Sequence, residues 1–424
     1  MRYGEETIEQ VRQAVDLVGL IGGQVQLRKV GQTWKGLCPF HDEKTPSFTV
    51  NPDRQAYHCF GCGAGGDAFR FVMETEKLSF VEAMKSLAER YGVTLPVPAE
   101  EDAAGRLYRA LEDAQTFYRR ALEDPETGRA ARAYLSGRGL GEEILERYGV
   151  GLAPAGWDAL SSRLSSRHGH GVLLEAGLVI RRERGEGVYD RFRGRITVPL
   201  RLPTGRVVGF GGRALGEEEP KYLNSPETTL YRKSRFLFGL DQARPALKAR
   251  DEAVLVEGYF DVIGLAQAGI EEAVATAGTA LTADQCRLLR RYVPRLLLVF
   301  DGDAAGQTAA EKALGPVVAA GLETRVASLP PGQDPDTLVR GPEGARAWQK
   351  VVAEAVSPVD FVVRRHAGDR EAALRTSARL ASLAEDPITA RLLIEEAARK
   401  LSFDEAALGR EVERIRAGGR TGPG

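Results

Sequence analysis

The chain has little of what usually marks a redox, secreted or membrane role. Its 424 residues include 4 cysteines, 5 histidines, 3 methionines and 3 tryptophans. So few thiols in so long a chain exclude a scaffold built on disulfides. No apolar run approaches the ~18–20 residues that a membrane-spanning helix needs. The opening stretch MRYGEETIEQ lacks the apolar core of a signal peptide. The expectation is a cytoplasmic protein that does not engage a membrane. Neither sign of charge is in excess, with 58 Lys and Arg against 59 Asp and Glu and a net charge of -1, so any surface built for a polyanion must be local. There is no G-x-x-x-x-G-K-[ST] run, which excludes ATP hydrolysis on a P-loop. Internal repeats and coiled-coil heptads are missing as well.

What is present is unevenly distributed. Residues 191–250 hold 13 Lys or Arg against 5 Asp or Glu, a local excess of 13 − 5 = 8 positive charges. Three of the cysteines, Cys38, Cys59 and Cys62, lie within 25 residues, and Cys286 is remote. CPFH spaces Cys38 and His41 by two residues, and CFGC spaces Cys59 and Cys62 likewise, with 17 residues between the pairs. Each pair suits a knuckle that turns both donors to one ion, and the interval allows a hairpin to bring the knuckles together. Three thiolates and an imidazole suit one tetrahedral zinc better than an iron–sulfur cluster. Four protein ligands leave no open position, so the zinc should be structural. Around it Lys35, Lys44 and Arg54 interleave with Phe48, Tyr57, His58 and Phe60. A single-strand binding surface and the small domain's own core are both open readings of those aromatics.

Periodicity predicts a helix over 5–19, short strands and turns to about residue 67, and a capped helix from Ser79 to a Gly92 stop. The stretch VTLPVPAEEDAAG (93–105) reads as a linker. Residues 106–180 read as mostly helical, and 188–213 as two strands joined by the turn PTG. From 250 to 330 the pattern is β-α-β-α-β-α-β, which predicts a largely parallel sheet covered by helices. A helical segment follows, to about residue 416.

Parallel strands deliver their carboxyl ends to one edge, where such folds bind ligands. AVLV ends at Glu257, LLLVF ends at Asp301 and Asp303, and the pair Asp334 and Asp336 follows the last strand. A calcium loop of the EF-hand type fails, because its fifth and twelfth positions would be Ala305 and Lys312. A bare turn explains one aspartate but not acids at several strand ends. Gathered carboxylates repel unless a cation joins them, and Mg²⁺ or Mn²⁺ shared with substrate phosphates fits this set. Gly302 is read as the residue that lets the backbone turn between the two aspartates. GFGGR (209–213) lacks the following helix of a phosphate loop and reads as close-approach backbone beside Arg213.

These motifs together resemble one family, the bacterial replicative DNA primases. The resemblance rests on CPFH…HCFGC, YDRFRGRITVP, GRVVGFGGR, KYLNSPET, VEGYFDV, FDGDAAG and QDPD, and spans about residues 5–415. It implies a multidomain α/β protein: a zinc-ribbon-type N-terminal domain (1–95), a linker (96–105), a mixed α+β basic subdomain (106–245), a Toprim parallel-sheet subdomain (246–345), a helical subdomain (346–416) and a flexible tail (417–424). By resemblance, Glu257, Asp301 and Asp303 form the metal centre, Asp334 and Asp336 contribute to it, and Asp261 is a weaker candidate. Arg193 or Arg195, Arg213, Lys221, Asn224, Ser225 and Lys233 line a basic groove for template and nucleotides, Lys233 counting also among the catalytic set. The implied activity is de novo synthesis of RNA primers from ribonucleoside triphosphates on single-stranded DNA, through an RNA primer–DNA hybrid. A Toprim nuclease or topoisomerase, or a non-enzymatic zinc-bearing nucleic-acid module, are the alternatives. The family also binds the replicative helicase through a further domain, which this sequence is expected to lack by truncation.

Overall fold

Alternating apolar residues in short runs build three small sheets and one hairpin, and helices cover them. The computed structural model describes residues 5–95, 99–216, 218–276, 278 and 280–419. The chain divides into two compact units, Met1–Asp102 and Ala103–Gly424. No helix among the described residues is long and apolar enough to cross a membrane.

The first unit carries five strands in sequential antiparallel order: β1 (Arg28–Val30), β2 (Thr33–Gly36), β3 (Phe48–Asn51), β4 (Ala56–Cys59) and β5 (Gly65–Gly66). Alternation along β3 and β4 turns Phe48, Val50, Tyr57 and Cys59 inward. They pack with Phe69, Phe71 and Val72 of the helix Ala68–Glu76 and with Met84 and Leu87 of the helix Phe80–Arg90. The predicted capping box at Ser79 and Glu82 is present. The single helix expected over 5–19 is in fact two, Glu5–Ala14 and Leu17–Gly22. Asp16 divides them because its carboxylate accepts the Gly19 N–H (3.1 Å) and caps the second helix. The boundary between the two units falls within the expected linker, 96–105. Residues 96–98 lie outside the described residues, and from Ala99 the chain is helical to Glu123.

In the second unit the strands β6 (Gly151–Ala153), β9 (Arg195–Arg201), β10 (Val207–Ala214) and β11 (Tyr222–Asn224) form an antiparallel sheet in the order β11-β10-β9-β6, while β7 (Val179–Arg181) and β8 (Val188–Asp190) pair separately. One face, with Val207 and Phe210, packs on Tyr118 and on Leu164 of the helix Ala159–Glu175. The other face, with Ile196, Val198, Leu200 and Val208, shares a core with Val254, Val256 and Tyr259. A Cβ at Gly211 would collide with the Tyr259 ring and one at Gly212 with Phe192. The close approach inferred at GFGGR therefore accommodates aromatic side chains of the protein itself.

The last sheet is wholly parallel. Strands β12 (Glu252–Val256), β13 (Ala273–Ala275), β14 (Arg295–Phe300) and β15 (Glu323–Ser328) run in the order β13-β12-β14-β15. The helix Tyr259–Gln267 follows β12, and Ala304–Ala319 follows β14. Five helices occupy residues 344–419, the last of them Glu405–Gly419, so the expected flexible tail is helical to 419 and its remainder lies outside the described residues.

Candidate active site and zinc centre

In the first unit, the donor atoms of Cys38, His41, Cys59 and Cys62 all lie within 4.8 Å of one another. His41 Nδ1 is 3.8 Å from Cys59 Sγ, and Cys38 Sγ is 3.8 Å from Cys62 Sγ. The Phe40 N–H points at Cys38 Sγ (3.4 Å) and the Cys62 N–H at Cys59 Sγ (3.5 Å), bonds that favour thiolates. Burial alone would raise the Cys59 thiol, but the Ser47 hydroxyl and the N–H groups of Cys62 and Gly61 bring it down to about 6. Glu43 ties the site together from outside. It accepts from the N–H of Cys38 (2.8 Å) and Ser47 (3.1 Å) and from the Ser47 hydroxyl (2.5 Å). Its Oε2, which takes the Ser47 hydroxyl, also lies 3.4 Å from His41 Nε2, which leaves Nδ1 as the nitrogen that would face a bound ion. Sequence reasoning missed Glu43, though an acid two positions after a ligand histidine was a usable signal. The donor set is that of a closed structural zinc site. Of the surrounding aromatics, Phe48 and Tyr57 belong to the core, whereas His58 and Phe60 are exposed and meet edge to face at 4.7 Å.

The second site forms at the carboxyl edge of the parallel sheet, as the strand pattern predicted. Glu257 leaves β12 with its carboxylate 3.4 Å from the Asp301 N–H at the end of β14. Three further acids are fixed by helix starts. Asp303 caps Ala304–Ala319 by accepting the Gly306 N–H (2.7 Å). Asp334 caps Pro335–Arg340 through Thr337 (2.6 Å). Asp261, in the first turn of Tyr259–Gln267, accepts from Gly258 (2.9 Å). Backbone amides thus hold the carboxylates in place at low conformational freedom.

Gly302 does something other than the turn expected of it. A Cβ there would collide with the Pro330 carbonyl, and its N–H donates to Gln333 O (3.0 Å). Its φ is not positive. The missing side chain lets the loop that carries Asp334 lie against the loop that carries Asp301 and Asp303.

These acids press on one another. Burial first, then Glu257, Asp334 and Asp303, push the Asp301 carboxyl up to about 6. Burial and Asp303 raise Glu257, and burial with Asp301 and Asp334 raises Asp261 strongly. Among the described residues none of the five makes an ion pair with Lys or Arg, and Asp301 Oδ1 is buried without a hydrogen-bond donor. An orphaned acceptor in a set of unneutralised carboxylates fits a divalent cation. Among the described residues these donors do not converge as those of the zinc set do, whose atoms lie within 4.8 Å of one another. That openness suits an ion that shares its shell with substrate oxygens.

Asp336 is not one of these acids. Its side chain is fully buried: Oδ2 accepts from Arg138 Nε (3.0 Å) and Nη2, while Oδ1 pairs with Arg340 Nε at 3.1 Å without a hydrogen-bond donor. A Cβ on Gly264 would strike it. Two guanidiniums lie against this carboxylate, which sets it apart from the five acids that have no Lys or Arg partner among the described residues. Arg138 was missed because its partner lies 198 residues along the chain. Its guanidinium also rests over Phe260 (4.9 Å) and Tyr134 (5.8 Å).

The basic candidates divide in the same way. Arg213, at the end of β10, lies over Tyr134 (4.4 Å) and bonds the Tyr222 hydroxyl (3.3 Å). Phe260 is 6.0 Å from it, which links it to the helix that carries Asp261. Lys221 is exposed, and Lys233 is half-buried at the start of a short 3-10 turn. Arg193 stacks on Trp157 (4.3 Å) and reaches Tyr189 (5.2 Å). Arg195, by contrast, is buried and donates to the Pro220 carbonyl (2.8 Å). Ser225 is wholly buried, its hydroxyl accepting the Phe210 N–H (2.9 Å). Both side chains are closed off from solvent: Arg195 starts β9, a strand buried along both faces, and Ser225 follows β11. Asn224 Oδ1 is taken by the Tyr259 hydroxyl (2.5 Å) and its carbonyl by Arg191.

Comparison with known proteins finds matches over both units. Residues 3–103 match the CHC2 zinc finger model, 117–244 the N-terminal domain of the DNA primase catalytic core, and 254–339 a Toprim-like domain. The DNA primase of Halalkalibacterium halodurans is 43% identical over 372 residues, 86% of this chain and 62% of that protein. The chain thus spans less than two thirds of the length of this relative. The Aquifex aeolicus primase structure, comprising zinc-binding and RNA polymerase domains, is 32% identical, with TM-score 0.66 over 96% of this chain and 99% of that one. A DnaG primase catalytic domain bound to single-stranded DNA is 37% identical, with TM-score 0.66 over 72% of this chain and 99% of that one. A closed Cys3His cluster in one unit and an acidic Toprim edge beside a basic sheet in the other agree with these matches, and the chain belongs to the bacterial DNA primase family.

Proposed function

We propose that this chain is a template-directed RNA polymerase that begins chains without a primer. Two ribonucleoside triphosphates pair with single-stranded DNA, the 3′-hydroxyl of one attacks the α-phosphate of the other, and pyrophosphate leaves. The observation that carries this reading is the set Glu257, Asp301, Asp303 and Asp334 at one sheet edge, with no Lys or Arg partner among the described residues and a buried orphan oxygen on Asp301. These residues would hold Mg²⁺ or Mn²⁺, with Asp261 behind them. Such ions, when bound, neutralise phosphate charge and make a hydroxyl easier to ionise. The chain's own part is placement. Helix caps fix the carboxylates, Arg138 and Asp336 lock the loop that bears Asp334, and Arg213, Lys221 and Lys233 attract phosphates of nucleotide or strand. Phosphate contacts of this kind position the substrate without reading sequence.

A relative's catalytic domain bound to single-stranded DNA supports the choice of template. The zinc unit would aid capture of the template, with exposed Phe60 and the lysines Lys35 and Lys44 as its offered groups. We place the work in the cytoplasm, at the replication fork, and assign a helicase contact to no residue of this chain. The test is primer synthesis on defined single-stranded templates with labelled ribonucleotides and Mg²⁺ or Mn²⁺. Asp301→Asn and Asp303→Asn should each lower the rate by about a thousandfold or more, while single-strand affinity changes less than about threefold. Full priming by both variants would overturn the assignment. Nicked or relaxed plasmid in place of RNA product would favour a Toprim nuclease or topoisomerase.

A further inference from the structure

The sheet β11-β10-β9-β6 separates the acidic edge from a second groove. Gly211 meets Tyr259 on one face, while Phe210 meets Tyr118 on the other at 5.2 Å. On that far side, between the helices Ala99–Glu123 and Ala159–Glu175, lies a groove of about 640 Å³. Arg120, Arg163 and Arg167 line it. Its carboxylate, Asp113, is already engaged by Arg167 (2.9 Å) and by His168 Nε2 (2.7 Å). Arg120 and Arg163 are exposed, and among the described residues neither has a hydrogen-bond, ion-pair or ring partner. The groove therefore keeps uncompensated positive charge. Arg163 and Arg167 sit one helical turn apart, about 5–6 Å at Cβ, on the order of the step between neighbouring phosphates of an extended single strand. Half-buried Phe117 and the buried Leu164 give the groove an apolar floor for a sugar or base face.

We propose that this groove is a second single-strand contact, which holds the phosphate backbone of template DNA on the face of the sheet away from the acidic edge. The proposal rests on the reading of the chain as a single-strand-templated enzyme. An isolated phosphate chain offers the same chemistry, so the test separates the two sources. The full chain, its Arg120→Glu/Arg163→Glu variant and the milder Arg120→Gln/Arg163→Gln variant are titrated with labelled oligo-dT of about 8 and about 30 nucleotides across a salt series. Inorganic triphosphate is titrated in parallel.

Both variants should bind the long strand more weakly, about tenfold for the Glu pair, and their salt slope should fall by about 1.4 for two lost phosphate contacts. Affinity for the short strand and dinucleotide synthesis on a short template should not change. Long-strand affinity equal to that of the unaltered chain would overturn the proposal. Equal losses for short and long strands would also overturn it, as would lost triphosphate binding with unchanged strand binding. Failure of the underlying polymerase reading looks different, because it removes priming on the short template or leaves Asp301→Asn active.

Discussion

The two candidate metal sites solve opposite problems. In the zinc cluster all four donors converge, amides point at two of the thiolates, and Glu43 holds both residues of the first knuckle, at the Cys38 N–H and at His41. The Toprim edge gathers five carboxylates but leaves Asp301 Oδ1 without a partner and spends one oxygen each of Asp303, Asp334 and Asp261 on helix N-termini. A site that has to hold a domain together benefits from closure. One that has to admit phosphates benefits from donors fixed by the scaffold yet not satisfied by it. The contrast implies that metal removal should unfold the first and only relax the second.

The largest expected effect follows from closure. Structural zinc supplies on the order of 10 kcal/mol to small domains, far more than the first unit's core can spare. Cys59→Ser should lose the bound zinc and the protected amides of residues 28–66, while residues 252–328 keep theirs. Elemental analysis and hydrogen exchange measure both. Retained zinc, or exchange raised equally in both regions, would break the comparison.

Much of this was legible in the sequence because it is local. The Cys-x-x-His and Cys-x-x-Cys knuckles, the strand LLLVF running into Asp301, and the capping boxes depend on residues a few positions apart. The parallel sheet followed from the alternation of elements, and the common edge followed from the parallel sheet. What could not be read depends on contacts across the chain. Asp336 looks like its neighbour Asp334 in QDPD, but Arg138 claims it from 198 residues away. Arg195 and Ser225 look like groove residues until the packing on both faces of β9 and at the end of β11 buries them. Gly302 has the composition of a turn and the job of a spacer.

The middle-sized effect tests that distinction inside QDPD. Asp336→Asn leaves two guanidiniums beside a buried neutral group, and breaking a buried pair of this kind costs about 3–5 kcal/mol. The loss should be the same in Mg²⁺ and in EDTA, since no ion is involved. Asp334→Asn should change stability little in EDTA and chiefly weaken Mg²⁺ or Mn²⁺ binding. Urea denaturation with and without metal measures both. A metal-dependent loss for Asp336→Asn would return that residue to the metal set.

The smallest effect concerns the strain left when the open site holds no cation. The Asp301 carboxyl, at about 6 against an ordinary 3.8, binds its proton more tightly in the folded chain than in the unfolded one. A raised folded value stabilises the fold below the unfolded value, and that contribution is lost as pH climbs through about 6. In EDTA at pH 8, ionised Asp301 therefore faces Glu257, Asp303 and Asp334 with nothing to offset it. Asp301→Asn removes that repulsion and should raise the melting temperature of the metal-free chain by about 2–4 °C. The gain should shrink between pH 6 and pH 4, where the native carboxyl is itself protonated. Added Mg²⁺ should reverse the order, because the unaltered carboxylate then has its partner. A variant less stable than the parent in EDTA at pH 8 would show that Asp301 contributes to the fold itself, and the contrast with the zinc cluster would fail at its central residue.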